Sequence, residues 1–142
     1  MATAREIVEK CKAMSQSQLR QYGKEKYSQV WDVLCNYISG FDIARATIDS
    51  LVVCSGLDGR LTVGEWEFIK YVFNIHECNY DYYCEKVEAL QTIKMKRDVS
   101  EFKKAMPSQA RGPFICLCIA LMCSDCRFTY EDLDFLEDCL LG

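Results

Sequence analysis

Residues 58–73 read DGRLTVGEWEFIKYVF and residues 125–140 read DCRFTYEDLDFLEDCL, and the two segments align without a gap at a constant offset of 67. Asp58 matches Asp125, Arg60 matches Arg127, Thr62 matches Thr129 and Phe68 matches Phe135. Leu61/Phe128, Glu65/Asp132, Glu67/Asp134 and Ile69/Leu136 are conservative matches. Each copy follows an apolar stretch, LVVCSG or IALMCS. In each copy a threonine precedes an acidic residue by three positions, the spacing of a capping box. There the hydroxyl accepts from the N3 amide while the carboxylate returns to the cap amide. The repeated unit is therefore an apolar helix, an acidic turn and a Thr-capped amphipathic helix. Two such hairpins packed face to face about a pseudo-twofold axis build one helical core.

The rest of the chain carries the same periodicity. Apolar residues recur at spacings of three and four, and no stretch alternates with period two. The pattern predicts helices over 3–14, 24–38, 43–55, 63–74, 80–94, a short one ending near Met106-Pro107, 114–123 and 130–140. The polar stretch 15–23 reads as a turn or loose helix end, Ser39-Gly40 as a stop and Asp42 as the next cap. Asn79 is a further candidate cap, and Asp98 with Glu101 a further candidate box. The run 114–123, FICLCIALMC, reads as a helix buried on nearly all sides. The expected fold is all-α: a compact single-domain bundle of about seven helices over residues 1–142, with 1–24 as an N-terminal helical extension and a core of about 25–142. At 142 residues the chain is long enough to bury a core without staples.

A helix ending in an Asp-Gly turn, followed seven residues after the Asp by an acid at a helix start, resembles the tellurite-resistance TerB-like family. Leu51–Phe73 carries the pattern well; the second copy departs from it, with Cys126 in place of Gly and Asp132 in place of Glu. The resemblance covers about residues 25–142. It implies an all-α domain of roughly seven helices and a role in stress-response or membrane-associated protein assemblies. It also implies acidic sites with a tendency to bind metal.

Taken as a calcium loop, Cys54–Glu65 places Asp58, Gly59, Leu61 and Glu65 at suitable positions, but Cys54 and Gly56 stand where oxygen ligands are needed. A single loop is thus too poor in oxygens for calcium. A shared site drawing on Asp58, Glu65, Asp125 and Asp132 is the better metal hypothesis, with a divalent cation such as calcium as the cofactor. The alternative is that Asp58 and Asp125 make turn bonds while Glu65 and Asp132 complete caps.

Ten cysteines stand mostly at small apolar positions, such as Cys35 beside Leu34 and Ile38, and Cys84 beside Tyr83 and Val87. With no secretory signal visible they read as reduced core thiols of a cytoplasmic protein. Cys116, Cys118, Cys123 and Cys126 offer a zinc or thiol-redox alternative. On a helix, however, Cys116 and Cys118 point about 200° apart. The CSDC pair at a helix C-terminus beside Asp125 should have raised, not lowered, thiol pKa values. His76 is the lone histidine, and no Ser/His/Asp set, HExxH, phosphate loop or dinucleotide fingerprint occurs.

The net charge of −4 and a pI near 5.1 speak against nucleic acid as a partner. The longest apolar run, ten residues, is too short to span a bilayer. Charge is nevertheless uneven. Lys94, Lys96, Arg97, Lys103, Lys104 and Arg111 make 94–111 basic, and 125–138 is acidic. The basic stretch could meet an acidic partner or an anionic membrane surface, or be a solvated face. Tyr82 should face away from the stripe of Tyr80 and Tyr83, towards a contact surface. Together with the resemblance, these features predict a non-enzymatic cytoplasmic interaction module in a stress or metal-ion response; the resemblance implies a protein partner in a membrane-associated stress complex. Cation binding at the acidic turns is the first alternative, and cysteine chemistry the second.

Overall fold

The computed structural model describes residues 3–58, 61–74, 80–90, 93–125 and 128–141. These residues form eight α-helices and include no strand. In order they are α1 (Ala4–Lys12), α2 (Gln16–Leu34), α3 (Gly40–Ser55), a 3-10 turn (Gly56–Asp58), α4 (Val63–Phe73), α5 (Tyr80–Leu90), α6 (Ile93–Ala105), α7 (Ser108–Met122), α8 (Tyr130–Phe135) and a π-helical turn (Leu136–Leu140). No helix among the described residues is long and apolar enough to cross a membrane.

The core is organised around α7. Phe114, Leu117, Cys118, Ile119, Ala120 and Leu121 on this helix are all fully buried. The expectation of a helix enclosed on nearly all sides holds, because α2, α3, α1, α4 and α6 each pack against it. Val8, Cys11 and Leu19 join the same cluster, so α1 and the start of α2 are integral to the core. Buried hydroxyls on α3 bond back along the helix, Thr47 Oγ1 to the Ile43 carbonyl at 2.7 Å and Ser55 Oγ to the Leu51 carbonyl at 2.9 Å. Each polar group thereby enters the core with its hydrogen bond made.

Three local expectations are corrected. The stretch 15–23 is helix rather than turn: Ser15 Oγ accepts from Gln18 N at 3.1 Å while Ser15 N donates to Gln18 Oε1 at 2.8 Å. This capping box starts α2 eight residues early, and Leu19 anchors it in the core. The cap of α3 is Ser39, which accepts from Asp42 N at 3.2 Å, so Asp42 is the third helical residue and not the cap. Asp98 lies inside α6 and does not open a helix. Helix α4 ends where expected because Asn74 adopts φ 54° and ψ 47°, the left-handed conformation that closes a helix. Asn79 lies outside the described residues.

Candidate functional site

The two capping boxes of the repeat both form, 67 residues apart. In the first, Glu65 Oε1 accepts from Thr62 N at 2.9 Å and from Thr62 Oγ1 at 3.0 Å, while Glu65 N donates to Thr62 Oγ1 at 3.2 Å. In the second, Asp132 Oδ2 accepts from Thr129 N at 2.9 Å and Asp132 N donates to Thr129 Oγ1 at 3.1 Å. Glu65 is only 5% exposed and Asp132 only 7%. Two carboxylates are thus held at helix N-termini, where amides and the helix dipole favour negative charge.

The two units also meet. Helix α8 packs against the 3-10 turn Gly56–Asp58 of the first unit. Conversely, Gly64 of α4 lies on the turn of the second unit, where an added Cβ would stand 3.2 Å from the Ser124 carbonyl oxygen and 3.5 Å from Asp125 Cα. Between them sits Cys54, fully buried on the last turn of α3. Its thiol pKa is pushed well up, first by a hydrogen bond with Cys118 and by burial, then by the charges of Cys118, Asp132 and Glu65. The charges of Glu65 and Asp132 thus both reach this one thiol. Asp125 is half-buried in the second turn, near enough to Cys123 to help raise that thiol. The Asp58 backbone lies in the 3-10 turn, and its side chain lies outside the described residues. Among the described residues no three His, Cys, Asp or Glu side chains are grouped to hold a metal ion.

The thiols are mostly interior. Cys11, Cys54, Cys116, Cys118 and Cys123 are buried. Burial is the largest cause lifting Cys11 to about 11 and Cys123 to about 12. A thiol that holds its proton this firmly is neither a nucleophile nor a ready metal ligand near neutral pH. Cys35 contradicts the core expectation: it stands at the C-cap of α2 and is exposed. Its stripe ends with Leu34, where the helix ends. His76, Cys78 and Cys126 lie outside the described residues.

The basic stretch divides by burial. Lys94, Arg97 and Lys104 are exposed and Lys96 is half-buried. Lys103, expected on the interaction surface, is instead 7% exposed. Burial, aided by Lys104 and Arg111, lowers its pKa. Arg111 closes the end of α6, its guanidinium donating to the carbonyls of Met106 at 2.9 Å and Lys104 at 2.8 Å. Lys96 and Lys104 lie near Cys139, beside Asp138, so the basic helix α6 packs along the acidic C-terminal segment.

Tyr82 does face away from the stripe: it is 62% exposed, whereas Tyr80 and Tyr83 are half-buried. The sequence pattern missed its neighbour across the cleft. Phe41, at the start of α3, is 73% exposed, and it lines with Ile48, Tyr82 and Tyr83 a cleft of about 400 Å³ between α3 and α5. The second face of Tyr83 packs on the buried Trp66, ring centroids 5.2 Å apart, which anchors the cleft wall to the core. Comparison with protein-family models, with curated proteins and with solved structures finds no match.

Proposed function

We propose that the chain is a non-catalytic interaction module of the TerB-like kind, acting in the cytoplasm in a stress or metal-ion response, and that it grips a protein partner through the α3/α5 cleft. The observation that carries this is the pair Phe41 and Tyr82, two largely exposed aromatic side chains on the walls of one cleft. Aromatic side chains bury large area at low entropic cost and dominate protein contacts. Lys94 and Arg97, exposed on α6, add positive charge that would steer an acidic partner. The raised thiols Cys11, Cys54 and Cys123 support a structural rather than a redox use of the cysteines. The test is photo-crosslinking from position 82 in cells expressing the chain. A discrete adduct, competed by the unmodified chain but not by its Phe41→Ala, Tyr82→Ala variant, is expected.

A second function rests on Glu65 and Asp132, the two nearly buried carboxylates that open α4 and α8. With Asp58 and Asp125 these acids would hold a divalent cation such as calcium at the junction of the two units. Calorimetric titration with calcium tests it. Heat at one or two equivalents that is lost in Asp58→Asn supports a cation site, and no heat assigns the acids to turns and caps.

A further inference from the structure

A more spacious cleft of about 970 Å³ lies elsewhere, between α1 and the C-terminal α8 with its π turn. Its floor is apolar, with Val8 and Leu136 buried beneath it. At its mouth stand Leu133, 39% exposed, Leu141, 49% exposed, and Tyr130, 85% exposed. A monomer gains nothing by holding three large apolar side chains in water around an apolar hollow. The π turn shapes the far wall: Leu141 N donates to Leu136 O at 2.9 Å, a five-residue spacing that widens the helix there. Such turns are concentrated at functional positions.

The charges of the two walls are opposite. The α1 wall carries Arg5 and Lys12; Glu9 on the same wall is bonded to Lys12 at 3.7 Å, which leaves the wall net positive. The facing wall carries Glu131 and Glu137 and no cation. A two-fold rotation about an axis along the cleft lays each α1 over the partner's α8. The basic wall of each copy then meets the acidic wall of the other, and each Tyr130 enters the other's hollow. We propose that the occupant of this cleft is a second copy of the chain, in an isologous dimer. One patch supplies the knob, the hole and both charge signs, which is what a two-fold contact requires of a surface. This surface is separate from the α3/α5 cleft, which stays open to a different partner.

Sedimentation equilibrium of the full chain tests the proposal. The wild type should show a concentration-dependent mass reaching twice 16.4 kDa, with association weakened by salt. Arg5→Glu and Glu137→Lys should each weaken self-association about tenfold or more, since each places like charges together at both symmetric positions. An equimolar mixture of the two variants should dimerise again, because both cross-pairs become opposite. That rescue also shows that neither variant has simply misfolded. A wild type monomeric to about 100 µM overturns the proposal, as does a dimer that both reversals leave intact or a mixture without rescue.

Discussion

Gly64 lies against Ser124: a side-chain carbon on the glycine would stand 3.2 Å from the Ser124 carbonyl oxygen. The first turn of α4 thus rests on the turn that precedes α8. The neighbour is backbone and cannot rotate away. Gly64→Val should therefore destabilise the fold by about 2 kcal/mol despite a better helix propensity than glycine. Urea unfolding checks this, and an unchanged midpoint would remove the contact between the units.

A similar approach occurs on α2. A Cβ at Gly23 would overlap the ring of Phe68, which is fully buried on α4. Gly23→Ala should cost about 1–2 kcal/mol, the overpacking loss outweighing the gain in helix propensity. Combined with Phe68→Leu it should cost much less than the sum of the two changes, because the leucine vacates the space. Gly40 offers the contrast. There the obstruction is the tip of the partly exposed Trp31, which can move, so Gly40→Ala should be nearly neutral.

The capping threonines should behave as a matched pair. Thr62→Ala and Thr129→Ala each remove one hydroxyl acceptor from an N3 amide and should each cost about 1 kcal/mol. Thr62 should be the costlier of the two, since its hydroxyl also bonds Glu65 Oε1. Chemical denaturation of both variants measures the difference.

These caps show what was legible in the sequence. A capping box is a local signal, carried by two residues three apart, and Thr62/Glu65 and Thr129/Asp132 could be read directly. Ser15/Gln18 has the same geometry with a neutral N3 partner, and its polar surroundings hid it behind the look of a loop. The burial of Lys103 and the exposure of Cys35 were not legible, because each depends on which helix covers it. The same holds for Phe41: its exposure follows from α3 starting at Gly40, which follows in turn from the Ser39 cap. The opposed walls of the α1/α8 cleft join residues more than 110 positions apart, beyond the reach of any periodicity.

Alkaline pH should weaken the fold. Cys11 keeps its proton in the folded chain up to about 11, chiefly through burial, against an ordinary value of 9.0. Between those values the unfolded chain has lost the proton and the folded chain has not, so stability falls as pH rises. Below about pH 9 this contribution is fully present. Cys11 alone accounts for on the order of 3 kcal/mol by pH 11, and Cys123, raised to about 12, adds to the fall. Thermal midpoints from pH 7 to 11 should be flat and then decline, and a midpoint that rises above pH 9 would contradict the assignment.

Thiol accessibility should follow burial. Cys35 should react with a maleimide in the native protein, whereas Cys11, Cys54, Cys118 and Cys123 should react at least about a hundredfold more slowly, through opening of the core. Peptide mass spectrometry after timed labelling reads each site separately. Fast labelling at Cys54 would mean that the junction of the two units is open to solvent.

The central claim is that the α3/α5 cleft is where the protein meets its partner, and the most direct measurement is crosslinking yield from a photoreactive residue at position 82 against one at Gln109, exposed at the start of α7. A discrete adduct is expected from position 82 alone, lost on Phe41→Ala while the thermal midpoint stays unchanged. Equal yields from both positions, or an adduct indifferent to Phe41, would contradict it.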